Sequence, residues 1–183
     1  MNKPTLINIY GGPSIGKSIM AAALFVELKR RGESCEYIQE YPKQLIWEGK
    51  SHELKNQELM AQKQSALLNG ALKNCPVVIT DGPVLQGVFY AEKVWDVAHH
   101  SESIFALHYD TLLDYNVISI YLIRGDHKYE EAGRLQNHAE AVEIDKGIKD
   151  VLDRYQEQYM EFSSDLKVVS EIADIVMKEL SRG

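Results

Sequence analysis

The sequence has few of the features that mark several common protein classes. Its 183 residues include only two cysteines, Cys35 and Cys75, too few for a disulfide-stabilised secreted domain. Both lie on or beside apolar, strand-like runs and are expected to be reduced, buried thiols. The longest uninterrupted apolar run, 19–26, has eight residues and is far too short to span a membrane. None of the six histidines falls into a zinc-binding spacing.

An excess of basic residues is also missing. The chain carries 27 acidic and 20 basic residues, a formal net charge of -7. This charge argues against a broad basic face for duplex nucleic acid, although a local groove around one nucleotide or one flipped base stays compatible with it. Lys3-Pro4 and a glycine-rich loop interrupt the N-terminus, unlike a signal peptide. We therefore expect a cytoplasmic protein with no membrane segment.

The glycine-rich loop is the most informative stretch of the sequence. Gly11, Gly16, Lys17 and Ser18 complete the pattern G-x-x-x-x-G-K-[ST], between an apolar strand-like run and a helix-forming run. Glycines let successive N–H groups turn towards one phosphate, and the lysine adds a positive charge for the β- and γ-phosphates. The pattern predicts ATP or GTP binding, with ATP as the expected cofactor. The expected nucleotide-binding residues are Gly11, Gly12, Pro13, Ser14, Ile15, Gly16, Lys17, Ser18 and Ile19.

The remaining chain alternates short apolar runs with helix-forming segments. Strands are expected at 5–10, 35–39, 76–80, 116–123 and 167–170. Helical segments are expected at 17–31, 45–49, 51–73, 84–91, 101–113, 138–162 and 171–181, with 92–100 undecided. This order predicts an α/β fold: a P-loop NTPase domain over 1–183 with a five-stranded parallel sheet flanked by helices and a short lid at about 124–138. Ligands of such sheets bind at the carboxyl ends of the strands.

Two carboxylates follow predicted strands and are therefore candidates for the site. Asp81 follows four apolar or β-branched residues and is expected to bind Mg²⁺ together with the Ser18 hydroxyl. Glu40 ends the second strand, where a carboxylate could accept the proton of an acceptor hydroxyl. The alternatives are an aspartate that only begins an Asp-Gly-Pro turn and a solvated glutamate in a turn.

Two arginines are candidates for stabilising charge on the transferred phosphoryl group. Arg124 closes the fourth strand, and Arg134 lies in the polar stretch beyond it. A guanidinium can bind two phosphate oxygens at once, which favours a catalytic role for one of them beside Lys17, Glu40 and Asp81. Acidic residues share the polar stretch, so a solvated loop remains the alternative.

Four further residues are weaker candidates for contacts with a substrate. Gln57 and Gln64 are seven residues apart on one helical face, and a side-chain amide can bind the edge of a nucleobase. Tyr41 and Trp47 could stack on a base. The alternatives are an exposed polar helix face for the glutamines and core packing for the aromatic residues.

Four segments of the chain together resemble a known protein family. Segments 11–18, 40–49, 79–83 and 129–136 resemble P-loop nucleoside and nucleotide kinases, especially small ATPase/kinase-like proteins of large phages, over about residues 5–155. The resemblance implies that Glu40 is the base for a sugar hydroxyl and Arg134 a lid arginine. The chain departs from deoxynucleoside kinases at 81–83, where Asp-Gly-Pro stands in place of Glu-Arg-Ser. Some phage relatives resemble kinases of 5-hydroxymethyluracil bases in DNA.

The first hypothesis is therefore an ATP-dependent kinase that transfers the γ-phosphate to a hydroxyl or phosphate of a nucleoside or nucleotide. The second keeps this chemistry but uses a 5-hydroxymethyluracil base in DNA as acceptor, which would belong to phage DNA modification in the host cytoplasm. The third is an ATPase switch that acts on a protein partner. The sequence does not identify the acceptor or the oligomeric state.

Overall fold

The computed structural model describes residues 3–125 and 137–182. Within them, five strands form one sheet with all neighbours parallel, in the order β2-β3-β1-β4-β5. The strands are β1 Thr5–Tyr10, β2 Cys35–Ile38, β3 Val77–Thr80, β4 Asn116–Ile123 and β5 Tyr159–Ser163. The predicted α/β fold with a five-stranded parallel sheet is confirmed, and it is a P-loop NTPase fold.

Seven α-helices connect and cover these strands in the described chain. They are α1 Lys17–Arg30, α2 Tyr41–Trp47, α3 Gln57–Leu72, α4 Gln86–Phe89, α5 Ser101–Asp114, α6 His138–Arg154 and α7 Val169–Arg182. Short 3₁₀ turns lie at Ser51–Lys55, Ala98–His100 and Leu166–Val168, and a π-helical turn lies at Tyr90–Val94. Asn137 and Glu140 form a reciprocal capping box at the start of α6.

The two faces of the sheet bury separate apolar layers. Successive β1 residues point to opposite faces, so Leu6 and Tyr10 pack against the side of α3, α5 and α6, while Ile7 and Ile9 pack against the side of α1 and α7. Every residue of β1 is buried. Burial on both faces explains why the central strand has a nearly continuous apolar sequence.

Several helices and strands begin or end at residues other than those expected from the sequence. The last strand is Tyr159–Ser163, whereas 167–170 forms a 3₁₀ turn and the start of α7. The helix expected to reach 162 ends at Arg154, and Gln156 then takes a left-handed backbone conformation with φ 56°. The helix expected from 51 begins at Gln57, after the 3₁₀ turn. The segment 84–100 is a short α-helix followed by the π-helical and 3₁₀ turns.

Two expectations concern the whole chain rather than one element. Cys35 and Cys75 are both buried and unbridged, as expected. Among residues 3–125 and 137–182, no helix combines the length and hydropathy that crossing a membrane requires. Most of the lid expected at 124–138 lies outside the described residues, so that lid stays a prediction.

Candidate active site

The phosphate loop connects the end of β1 to the start of α1. Its backbone has positive φ at Gly11 (143°), Ser14 (54°) and Gly16 (106°). Alternation of left- and right-handed residues turns consecutive N–H groups to one side, which produces an anion-binding concavity. A non-glycine residue in the left-handed region stores strain, and such residues cluster at ligand-binding loops. The loop therefore has the backbone form that binding a phosphate group requires.

Lys17 lies inside this loop and is nearly fully buried. Its Nζ donates hydrogen bonds to the carbonyl oxygens of Gly11, at 2.7 Å, and Gly12, at 2.9 Å. A phosphate in the loop would offer charged oxygens in place of these neutral ones, and bonds between charged groups are stronger. The loop holds the ammonium group close to the place where a bound phosphate would lie.

Asp81 joins the ends of three elements. Its carboxylate accepts a hydrogen bond from the Ser18 hydroxyl through Oδ2 and from the Glu40 backbone N–H, at 3.0 Å, through Oδ1. Asp81 is only 1% exposed. Burial and then the negative charge of Asp81 raise the pKa of the neighbouring Tyr37 hydroxyl, which stays protonated. Asp81 and Ser18, which the sequence assigned to one metal site, are thus in direct contact.

Glu40 occupies the position before the first residue of α2. Its backbone is extended, and its side chain does not cap the helix. Gly82 makes possible the close approach of the segments that follow β2 and β3, because a Cβ at Gly82 would lie 2.8 Å from the Glu40 Cα. The Glu40 side chain borders a cleft beside the phosphate loop.

This cleft, which we call the α2–α3 cleft, lies between α2, α3 and the segment that follows β3. It is lined by Pro13, Lys17, Glu40, Pro42, Lys43, Ile46, Leu54, Gln57, Met60, Ala61, Gln64, Gly82, Pro83, Val84, Gln86, Gly87, Tyr90 and Trp95. Apolar walls with a few polar groups are typical of small-molecule sites. Lys17 and Glu40 both line it, so the cleft opens directly onto the phosphate loop.

The glutamines of the cleft have different partners. Gln64 accepts the Tyr41 N–H at 2.8 Å and donates to the Thr80 hydroxyl at 3.2 Å, so its amide holds the ends of β2 and β3 together. Gln57 donates to the Leu54 carbonyl at 2.6 Å. Gln86, which sequence reasoning did not identify, accepts the Gly11 N–H at 3.4 Å. The Gln64 amide thus has a structural role, whereas the amide of Gln57 stays the predicted group for hydrogen bonding to the edge of a base.

The aromatic lining also differs from expectation. Trp47 is 68% exposed and is not among the residues that line the cleft, and Tyr41 packs beside Leu45, Leu54 and Met60. The cleft instead receives Tyr90 and Trp95 from the two ends of the π-helical turn. Such turns are rare and frequently occur at functional sites. Residues 92–100 show the hydrophobic period of neither a helix nor a strand. The lack of a period was the only local signal of this turn.

Arg124 makes a two-pronged ion pair that the sequence did not predict. Its Nε lies 2.6 Å from Asp145 Oδ2 and its Nη2 lies 3.0 Å from Asp145 Oδ1, while Nη2 also donates to the Pro13 carbonyl at 2.8 Å. Asp145 belongs to α6, and its position within the apolar stripe of that helix was the available signal. Arg134 lies outside the described residues, so its role stays a prediction.

One protein-family model matches most of the chain. A family model described as an AAA domain matches residues 6–168, which include the phosphate loop, Glu40, Asp81 and α6. No curated protein matches the chain.

Two solved structures have a similar fold. A deoxyadenosine kinase from M. mycoides, solved with the products dCMP and a flexible dCDP, matches with a TM-score of 0.60 and 21% identity, over 97% of this chain and 100% of that one. The NadR protein, solved in complex with NAD and AMP-PNP, matches with a TM-score of 0.63 and 11% identity over 94% of this chain. This chain spans 49% of that NadR chain. At these identities the similarity concerns the fold alone.

Proposed function

The chain belongs to the AAA domain family, and from this membership and the geometry of the site we propose that it is an ATP-dependent kinase. Its acceptor is the hydroxyl or phosphate of a nucleoside or nucleotide bound in the α2–α3 cleft. One observation carries the proposal: Glu40 borders this cleft, and its backbone is hydrogen bonded to the carboxylate that also contacts Ser18 of the phosphate loop. The fold similarity to a deoxyadenosine kinase supports the same reaction class.

For a hydroxyl acceptor, the reaction needs a donor phosphate and a nucleophile in line. The acceptor oxygen forms a bond to the γ-phosphorus, the bond from that phosphorus to the β–γ bridging oxygen breaks, and ADP leaves. Glu40 accepts the proton of the attacking hydroxyl. Lys17 and Arg124 offset the negative charge of the γ-phosphoryl oxygens as the bond to ADP breaks. Excluding water from the cleft favours transfer over hydrolysis.

The residues around Asp81 fit a magnesium ion. Mg²⁺ prefers oxygen ligands and is usually bound through one or two carboxylates together with substrate phosphates. Ser18 and Asp81 supply a hydroxyl and a carboxylate in contact with each other, next to the phosphate loop. The ion would neutralise charge on the β- and γ-phosphates. Within the described ranges there is no cluster of three or more His, Cys, Asp or Glu residues suited to a metal.

Asp81→Asn is expected to raise the Mg²⁺ concentration needed for half-maximal transfer by about 10- to 100-fold. The amide keeps the size of the carboxylate but removes its charge, which weakens its bond to a divalent cation. A magnesium titration at saturating ATP measures the shift. Asp110→Asn, on the exposed side of α5, removes the same charge away from the site and should leave the titration unchanged. An unchanged requirement in Asp81→Asn would remove Asp81 from the metal site.

The proposed function is tested by transfer from γ-labelled ATP to a panel of acceptors. The panel contains nucleosides, mononucleotides, plain DNA and DNA with 5-hydroxymethyluracil. Label in a nucleoside or nucleotide supports the proposal, whereas label in modified DNA alone would select the base-in-DNA alternative. ADP formation that no acceptor stimulates would contradict a kinase and favour an ATPase switch.

Glu40→Gln should lower transfer to a hydroxyl acceptor by about 10²- to 10⁴-fold, because glutamine cannot accept the proton. ATP affinity should stay unchanged, since the variant keeps the backbone N–H through which residue 40 bonds to Asp81. Steady-state kinetics and calorimetric ATP titration measure the two quantities. Glu36→Gln, on the exposed face of β2, is the matched control and should have wild-type turnover. Full activity of Glu40→Gln would disprove the role of Glu40 as the base.

A further inference from the structure

Asp145 is a buried carboxylate that the proposed chemistry does not use. It lies on the inner face of α6 beside Ala141, Ile144 and Ile148, and it is 8% exposed. A buried charge is costly unless it is paired and hydrogen bonded. Both carboxylate oxygens have such partners, and the partners belong to the phosphate loop and to the end of β4.

The contacts of Asp145 connect two parts of the site. Oδ1 accepts the Gly12 backbone N–H at 2.8 Å, and the two oxygens together bind the Arg124 guanidinium through Nε and Nη2. Arg124 Nη2 then donates to the Pro13 carbonyl at 2.8 Å. The first turn of the phosphate loop is therefore fixed from both sides: an N–H by the carboxylate and a carbonyl by the guanidinium.

The backbone around these contacts is shaped to allow them. A Cβ at Gly12 would collide with Asp145 Oδ1 and would lie 3.0 Å from the Ala141 carbonyl oxygen. Gly12 has no positive φ, so the close approach of α6 is the reason that a glycine is needed there. The Tyr121 hydroxyl donates to the Asp145 carbonyl at 2.8 Å, which attaches α6 to β4 at this residue. The carboxylate is held in place rather than free to sample rotamers.

We propose that Asp145 is a positioning residue: it sets the shape of the phosphate loop and the direction of the Arg124 guanidinium, and thereby the affinity for the nucleoside triphosphate. The inference rests on the proposed function for its effect on transfer, whereas its effect on nucleotide binding needs only the loop. A guanidinium aligned in advance loses less conformational freedom when it meets phosphate oxygens.

The main test compares Asp145→Asn with Asp150→Asn. Asp150 lies on the exposed face of the same helix, so its variant removes the same charge without touching the loop. We expect Asp145→Asn to raise the dissociation constant of a non-hydrolysable ATP analogue by about 10- to 100-fold, because an asparagine NH₂ group donates hydrogen bonds and accepts none. The variant therefore loses either the bond from Arg124 Nε at Oδ2 or the bonds from the Gly12 N–H and Arg124 Nη2 at Oδ1. The KM for ATP should rise while the KM for the acceptor stays unchanged. Asp150→Asn should match the wild type in both.

A purely structural role would give a different result. It would lower the melting temperature of Asp145→Asn but leave the dissociation constant of the folded protein unchanged, and that outcome would overturn the inference. Arg124→Lys provides a second variant if Asp145→Asn does not fold. It keeps the positive charge but loses the two-pronged geometry, so we expect the same weakening of analogue binding; wild-type affinity would count against the proposal.

A double-mutant cycle checks that the two residues act together. If Asp145 works through Arg124, the combined variant Asp145→Asn/Arg124→Lys should bind the analogue no more weakly than the worse single variant. Additive losses would show independent roles and reject the mechanism. These titrations contain no acceptor, so a wild-type protein that phosphorylates nothing would remove the proposed function while leaving the positioning role intact.

Discussion

Replacing Lys17 by alanine is expected to lower kcat/KM for ATP by about 10²- to 10³-fold, because the variant loses a buried, preorganised cation in the phosphate loop. The ammonium group of Lys17 donates hydrogen bonds to the carbonyl oxygens of Gly11 and Gly12. These bonds hold it in the loop, ready to exchange neutral carbonyl oxygens for charged phosphate oxygens. Steady-state kinetics over a range of ATP concentrations measure the loss.

Lys29→Ala is the matched control for this experiment. Lys29 lies in the last turn of α1, exposed and well away from the loop. Its removal changes the net charge of the protein by the same amount, so any general effect of charge on ATP affinity appears in both variants. If Lys17→Ala and Lys29→Ala had equal kcat/KM values, the phosphate loop would not be the donor site.

Gly147→Ala is expected to lower the free energy of unfolding by about 2 kcal/mol. Gly147 lies in α6 against the ring of Phe89, and a Cβ there would lie 2.7 Å from Cδ2 and 3.2 Å from Cζ of that ring. Overpacking of this kind costs about 3 kcal/mol, of which the better helix propensity of alanine returns about 1 kcal/mol. Denaturant unfolding measures the difference.

Gly70→Ala makes the sign of the effect testable. Gly70 is also inside a helix, α3, but it is exposed, and nothing lies within 4 Å of the position that a Cβ would occupy. This variant should raise the free energy of unfolding by about 1 kcal/mol. Two identical substitutions in two helices should therefore change stability in opposite directions. Stabilisation by Gly147→Ala would mean that α4 and α6 do not pack as the structure places them.

The parts of the fold that depend on local sequence were predictable. β1 and β4 are long apolar runs with burial on both faces, and the loop after β1 has its own glycine pattern. β5 was missed because it is an edge strand, where Met160 and Phe162 are only partly buried and alternate with exposed residues. The pair Val168-Val169 has more strand-like residues, yet it ends a 3₁₀ turn and starts α7. Tertiary context, not propensity, decided this region.

In the candidate site, too, local sequence pointed to some residues, whereas contacts distant in sequence brought in others. Glu40 and Asp81 were candidates because each follows a predicted strand, and parallel strands bring their carboxyl ends to one edge. Asp145 and Trp95 were missed because their contacts come from helices and turns distant in sequence. Asp145 is 133 residues from Gly12, its partner in the loop. No local hydrophobic period indicates a contact between residues so distant in sequence. An acidic residue within an apolar helical stripe does, however, indicate that it has a buried partner.

The hydrogen bonds of Asp81 connect the phosphate loop to the cleft, so binding at one can change affinity at the other. The Asp81 carboxylate contacts Ser18 of the phosphate loop on one side and the backbone of Glu40, which borders the cleft, on the other. A ligand that moves this carboxylate on one side changes the binding equilibrium on the other. Thermodynamic linkage makes that change reciprocal: the factor by which ATP alters the affinity for the acceptor is the factor by which the acceptor alters the affinity for ATP. In the proposed kinase, the two binding events are therefore described by two dissociation constants and one shared coupling free energy.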